Sequence, residues 1–136
     1  EAVLLDHARW PRNHRKIEEA TAIAEVNNPL CGDRCTVYLD VVGGVVKDMS
    51  FEGSGCAIML ASASLMTLAL AGKTLEQAQA VAQQFRALLM TDTEEDDGLG
   101  DLAALAGVRD LPSRIKCALL PWSPMKAALQ KEKSRN

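Results

Sequence analysis

The amino-acid sequence predicts an α+β domain in which a small antiparallel three-stranded sheet packs against a layer of helices. The first observation is the order of the patterns along the chain. β-compatible runs at residues 20–26, 35–42 and 45–51 precede the main helical patterns. The second is the pair Gly43-Gly44, a two-residue hairpin sequence of the primed type. The third is size, since 136 residues with 48% apolar side chains suit one hydrophobic core. We therefore predict a single domain over residues 1–136.

Helical patterns cover the N-terminus and the second half of the chain. The predicted helices run from 1 to 8, from 57 to near 72, from 74 to about 90, from 99 to 106, from 112 to 121 and from 123 to about 131. Thr74 begins a capping-box sequence, and Pro112 suits the first turn of a helix. Because Pro121 must end or kink the preceding helix, Ser123 and Pro124 are predicted to form the N-cap and first turn of the last one.

Charge and hydropathy exclude several classes of function. The formal net charge is -3, so there is no electrostatic reason to expect DNA, RNA or an anionic membrane as a partner. No stretch approaches the roughly 20 apolar residues that a bilayer span needs, and the charged N-terminus lacks a signal-peptide core. We expect a soluble, cytoplasmic protein whose sequence, lacking an initiator Met, starts inside the natural chain or after processing. Acidic residues in 91–98 predict a solvated loop, with a docking site for a basic partner surface as the alternative.

The four cysteines are the main guide to chemistry. They could form disulfides, hold a metal ion, or fill the core as small apolar side chains. Because no secretory signal is visible and the core needs no covalent staple, we favour metal binding. The candidate ligands are Cys31, Asp33, Cys56 and Cys117. Three thiolates and a carboxylate suit a tetrahedral ion, and thiolates favour zinc, copper(I) or iron–sulfur chemistry over magnesium or calcium.

Local sequence gives each candidate ligand a position. Side chains alternate in an extended segment, so Cys31 and Asp33 would project to the same side. Cys56 follows two glycines and would open a helix, where amide donors and the helix dipole favour the thiolate. Cys117 lies on the next-to-last predicted helix, and Arg114 shares its face there. The charge of Arg114 could therefore stabilise a thiolate or an incoming charged sulfur.

The remaining residues of these types are placed outside the site. Strand alternation puts Cys35 on the face of Asp33, but we expect it in the core. Lys116 is a second candidate cation, although its adjacency to Cys117 on a helix points it elsewhere. Surface or capping roles are expected for the two histidines and packing roles for the two tryptophans: His7, His14, Trp10 and Trp122.

The motifs around the candidate ligands carry a family resemblance. They are, in chain order, Asn28-Pro29-Leu30-Cys31-Gly32-Asp33, Gly53-Ser54-Gly55-Cys56-Ala57-Ile58 and Ser113-Arg114-Ile115-Lys116-Cys117-Ala118. Together with the N-terminal Asp6-His7 and Pro11-Arg12-Asn13, they resemble the IscU/NifU/SufU family of iron–sulfur cluster assembly proteins. Within that family the chain looks most like SufU, because 60 residues lie between Cys56 and Cys117 and a lysine precedes the latter.

The resemblance implies a zinc-dependent sulfur acceptor that works with a cysteine desulfurase of the SufS type. Zinc would be held by Cys31, Asp33, Cys56 and Cys117, and a histidine of the desulfurase would displace the Cys31 thiolate. Cys31 would then take sulfane sulfur from the enzyme's persulfide by thiolate attack on an S–S bond. The alternative is a scaffold that assembles a transient 2Fe–2S cluster on the same four residues and passes it to acceptor apo-proteins. A purely structural zinc site ranks last, because the core makes metal-dependent folding unnecessary.

Overall fold

The computed structural model describes residues 2–28, 32–91 and 98–135, and these residues form the predicted α+β fold. The elements in chain order are α1 (Ala2–Arg9), β1 (Ala22–Asn28), β2 (Asp33–Val42), β3 (Val45–Ser54), α2 (Ala57–Leu70), α3 (Leu75–Met90), a 3-10 helix (Gly100–Val108), α4 (Pro112–Leu119) and α5 (Trp122–Ser134). The capping box predicted at Thr74 is confirmed. Of the loop predicted for 91–98, residues 92–97 lie outside the described residues. No helix in the described part of the chain is long and apolar enough to cross a bilayer.

The sheet has the order β1-β2-β3, and both neighbouring pairs are antiparallel. Gly43 and Gly44 form the turn between β2 and β3 with φ angles of 59° and 76°, as a primed hairpin turn requires. One face of the sheet carries fully buried apolar side chains, including Leu39, Met49 and Phe51. Burial of each such side chain contributes about 1.5–3 kcal/mol, and α2 and α5 pack on the sheet to supply that burial.

A buried serine connects three helices. Ser62, in the middle of α2, donates its hydroxyl to the backbone carbonyl of Ala118 in α4 at 2.5 Å. The same oxygen accepts the indole N–H of Trp122 in α5 at 3.0 Å. Trp122 also stacks on Phe85 of α3, with ring centroids 4.6 Å apart, so its predicted packing role is confirmed. The position of α4 relative to α2 is therefore set by a buried hydrogen bond as well as by apolar packing.

The start of α5 differs from the prediction. Ser123 is not the N-cap, because α5 begins at Trp122 and is preceded by Pro121 in a helical conformation. Pro124 is then the third helical residue, where a missing N–H costs little because first-turn donors have no partner within the helix. The buried contact of Trp122 with Phe85 favours this earlier start.

The predicted roles of two residues near the N-terminus, His7 and Trp10, are wrong. His7 is buried rather than at the surface, and its Nδ1 lies 2.6 Å from the hydroxyl oxygen of Ser64 in α2. Ser64 Oγ also accepts the backbone N–H of Arg12 at 2.8 Å, so α1 and the chain after it are both fixed to α2. Trp10 is 72% exposed and is not a packing anchor. Because Trp10 lies one residue beyond the end of α1, this helix does not hold the Trp10 ring against α2.

Buried His7 makes stability depend on pH. Burial, and secondly the nearby charge of Arg12, lower the pKa of His7 from its usual value of 6.5. The folded protein therefore keeps the ring neutral, whereas the unfolded chain binds a proton as the pH falls below 6.5. The contribution of His7 to stability is full above that pH and is lost as the pH drops through the lower folded-state pKa.

We expect the urea midpoint of the wild type to fall more between about pH 7.5 and about pH 5 than that of His7→Gln, which cannot be protonated. The comparison variant is His14→Gln, which makes the same substitution at an exposed histidine. Equal pH responses of the wild type and His7→Gln would contradict the prediction.

Candidate metal site

Three of the four predicted ligands lie together. One donor atom each from Asp33, Cys56 and Cys117 can be chosen so that all three lie within 4.8 Å of one another. They come from separate parts of the fold, namely the first residue of β2, the residue before α2 and the body of α4. Cys31, the fourth predicted ligand, lies outside the described residues. The sequence prediction that distant segments converge is confirmed for these three.

The turn before β2 delivers Asp33 to the site. Asp33 pairs with Asn28 at the end of the β1–β2 ladder, and the N–H of Gly32 donates to the carbonyl of Asn28 at 2.8 Å. Gly32 has a φ of 77°, a left-handed conformation that glycine adopts readily. The prediction that Cys31 and Asp33 share a side assumed extended backbone through Gly32, and that assumption is wrong. Asp33 is 6% exposed, so its carboxylate lies inside the fold.

Cys35 belongs to the core, as predicted. It lies two residues further along β2 than Asp33, which is about 6.6 Å deeper on the same face. Its side chain is fully buried among the apolar residues of the sheet and helices. Burial raises the pKa of the Cys35 thiol to about 12, so it stays protonated at neutral pH and is unsuited to ligation.

Cys56 is the N-cap residue of α2. Its backbone is extended, with φ -71° and ψ 162°, and its side chain makes no capping hydrogen bond. The sulfur is therefore not engaged by the helix terminus and is half-buried next to Asp33 and Cys117.

Cys117 faces the site from α4. Its Sγ lies 4.0 Å from Asp33 Oδ2, a weak hydrogen bond when the sulfur is protonated. The neighbouring residue Ala118 accepts the hydrogen bond from Ser62, which fixes this part of α4 against α2. No local sequence pattern indicates this role of Ser62, because it depends on which helices pack together.

A cavity of about 320 Å³ opens beside Cys117. It is lined by Asn28, Pro112, Ser113, Lys116, Cys117 and Leu120. Lys116 thus lines the same cavity as Cys117, whereas its adjacency to Cys117 on a helix predicted that it points elsewhere. A lysine stem is long enough to bend back along a helix surface while its ammonium group stays in water. Arg114 is exposed on α4 and is not among the residues that line this cavity.

The donor set fits a small divalent metal ion. In a tetrahedral zinc site with Zn–S bonds of about 2.3 Å, the sulfur atoms lie about 3.8 Å apart. Donors already within 4.8 Å of one another need only small shifts to reach that spacing. Two thiolates, a carboxylate and a further thiolate next to Gly32 in the sequence match the ligand types that zinc prefers. Within the described ranges the cluster includes no histidine.

A small α+β domain that gathers thiolates and a carboxylate from three separate elements is a metal-binding domain. The chain belongs to the family described as NifU-like N terminal domain, whose model matches residues 1–133. The family resemblance inferred from the motifs is thereby confirmed, and a metal cofactor is consistent with both the family and the donor set.

Relatives within this family carry two kinds of name. The chain is 41% identical to the zinc-dependent sulfurtransferase SufU of Bacillus subtilis, an alignment that covers 98% of this chain and 91% of that protein. It is 36% identical to the iron–sulfur cluster assembly scaffold protein IscU of Thermotoga maritima, covering 94% and 90%. The crystal structure of a SUF-system scaffold protein (FiSufU) from Fervidobacterium islandicum matches with a TM-score of 0.89 at 32% identity, covering 95% of each chain.

Proposed function

We propose that this chain is an iron–sulfur cluster assembly protein that accepts sulfur in a zinc-dependent manner from a cysteine desulfurase. The observation that carries the proposal is the convergence of Asp33, Cys56 and Cys117 within 4.8 Å in a chain 41% identical to a zinc-dependent sulfurtransferase. Cys31 completes the proposed ligand set. The partner is a desulfurase of the SufS type, and acceptor apo-proteins stand downstream. The proposed location is the cytoplasm.

Cys31 is the proposed nucleophile. Bound zinc would supply a redox-silent Lewis acid that keeps its thiolate ligands deprotonated at neutral pH. The Cys31 thiolate attacks the outer sulfur of the desulfurase persulfide, and the S–S bond of that persulfide breaks. The desulfurase cysteine leaves as a thiolate, and Cys31 becomes the new persulfide. Sulfur is transferred without any net change in oxidation state across the two partners.

The proposed site carries more negative charge than a divalent ion neutralises, so a cation beside it is useful. Arg114 is the proposed residue that stabilises the incoming persulfide anion, being one helical turn from Cys117 on α4. Lys116 is the second candidate, supported by its place in the cavity beside Cys117. Both side chains are exposed, so either can reach a partner's persulfide.

The alternative function is a scaffold for a transient 2Fe–2S cluster. Three cysteines and an aspartate can hold either such a cluster or a zinc ion, since thiolates ligate both. The likeness to the scaffold protein of Thermotoga maritima supports this alternative. The larger identity to the zinc-dependent relative, and the long interval between Cys56 and Cys117, lead us to prefer sulfur acceptance.

One experiment separates the two functions. The chain is purified without added iron, its metal content is measured, and substoichiometric amounts are added to a SufS-type desulfurase with cysteine and a thiol reductant that releases the transferred sulfur as sulfide. We expect about one zinc ion per chain and faster sulfide release. Arg114→Ala and Lys116→Ala in the same assay show which cation assists transfer. Removal of the assisting side chain should slow sulfur transfer without loss of zinc. Absence of zinc, together with a 2Fe–2S cluster that forms anaerobically and moves to an apo-acceptor, would favour the scaffold instead.

A further inference from the structure

Gly55 lies in contact with the carboxylate of Asp33. A Cβ atom built on Gly55 would lie 2.7 Å from both Cγ and Oδ1 of Asp33. It would also lie 2.9 Å from the terminal methyl of Met59 in α2. Such distances are far inside van der Waals contact, which is about 3.5–4.0 Å between carbon atoms. The carboxylate therefore occupies the space that any side chain at position 55 would need.

The conflict is with the side chain of Asp33 rather than with the backbone of Gly55. Gly55 is not among the glycines with positive φ, so its conformation is open to alanine. The Met59 methyl ends a flexible side chain and can swing aside. The Asp33 side chain is short and 6% exposed, so its relief is rotation of the carboxylate out of its present place. A shift of the Gly55 backbone would instead displace Cys56, the next residue.

We propose that Gly55 is a positioning residue, whose missing Cβ lets the Asp33 carboxylate reach the metal beside Cys56 and Cys117. This inference rests on the proposed function, because it assumes that these residues hold a metal ion. Residue 55 thereby determines whether the site has an oxygen ligand from the protein. With alanine there, the four ligand residues are all present in the sequence, yet the carboxylate is turned away from the two sulfurs.

The consequence is that Gly55→Ala should behave as Asp33→Ala does. Both variants lose the carboxylate ligand, one by removing it and the other by turning it away. In the Asp33→Ala background the Cγ and Oδ1 atoms are gone, so the added Cβ meets neither of them. Gly55→Ala should therefore cost affinity in the wild-type background and little in the Asp33→Ala background.

A double-mutant cycle tests the proposal with zinc and cobalt(II) as probes. The variants are Gly55→Ala, Asp33→Ala and the double change, and affinity is measured by competition with a chelator. The control is Gly107→Ala, since a Cβ at Gly107 meets nothing within 4 Å and its φ is not positive. We expect each single change at the site to weaken binding by about 10- to 100-fold, and the double variant to match Asp33→Ala. The cobalt spectrum of Gly55→Ala should match that of Asp33→Ala.

A second measurement, urea unfolding of the metal-free protein, keeps the test independent of metal binding. Gly55→Ala should lower the urea midpoint in the wild-type background and leave it unchanged in the Asp33→Ala background. Equal losses in both backgrounds, in affinity and in midpoint, would show a general distortion of the turn before Cys56 and overturn the proposal. If the wild type binds neither zinc nor cobalt, the proposed function fails first, and the metal-free cycle still decides whether Gly55 and Asp33 are coupled.

Discussion

Replacement of Cys31 by serine is expected to abolish sulfur acceptance while the fold remains intact. A serine hydroxyl is not ionised near neutral pH and is a far weaker nucleophile than a thiolate, so the rate should fall by more than about 100-fold. The described hydrophobic core is formed by side chains of the sheet and helices, so we expect the variant to keep the fold. The measurement is persulfide transfer from a SufS-type desulfurase, followed by mass spectrometry of the acceptor.

The matched control for this prediction is Cys35→Ala, which deletes a thiol that is buried in the core. It should accept sulfur at a rate close to that of the wild type, although its unfolding midpoint should be lower because a buried sulfur is lost. Transfer to Cys31→Ser at the wild-type rate would show that another cysteine is the acceptor. Circular dichroism of both variants checks that the fold is retained.

Replacement of Cys56 by serine is expected to remove tight metal binding without harming the metal-free fold. The loss of a thiolate ligand should exceed the 10- to 100-fold cost that is typical of residues behind the ligands. Serine is a favoured N-cap residue, and Cys56 occupies the N-cap of α2 without a capping hydrogen bond. The metal-free variant should therefore be as stable as the wild type, or more stable by about 0.5–1 kcal/mol.

Cys35→Ser provides the opposite pattern. It places a hydroxyl at a fully buried core position, which should cost about 1–3 kcal/mol if the group finds no partner, while zinc affinity stays close to that of the wild type. Metal titration and urea unfolding on the same four samples, namely both variants with and without zinc, give the comparison. If Cys35→Ser loses metal as severely as Cys56→Ser, then Cys35 is a ligand and the assignment of Asp33 is wrong.

Local patterns were sufficient for most of the secondary structure. The Gly43-Gly44 hairpin and the capping box at Thr74 depend on neighbouring residues, so the sequence alone predicts them. The start of α5 was missed because it depends on the contact of Trp122 with Phe85, which no local pattern contains. The burial of His7 against Ser64 was missed for the same reason, since the two residues are 57 positions apart in the chain.

The candidate site was predicted from chemistry and family motifs rather than from geometry. The types of the donor atoms identified a thiolate-rich site, and the motifs indicated which cysteines belong to it. The alternation argument for Cys31 and Asp33 assumed an extended Gly32, which instead has a φ of 77°, and Cys31 itself lies outside the described residues. The close contact between Gly55 and Asp33 could not be predicted from local sequence either, because it joins the start of β2 to the loop before α2.

The ligands of the proposed site come from two parts of the fold that are held in place differently. Cys56 is the N-cap of α2 and Cys117 lies in α4, and these two helices are joined by the buried hydrogen bond from Ser62 to Ala118, which is worth about 0.5–1.5 kcal/mol. Asp33 belongs instead to the end of a two-strand ladder that closes at Gly32. In the proposed site, release of Asp33 would therefore leave the Ser62 hydrogen bond between the two helices unbroken, whereas moving α2 away from α4 would break it. The helix pair would then act as the anchor of a bound ion.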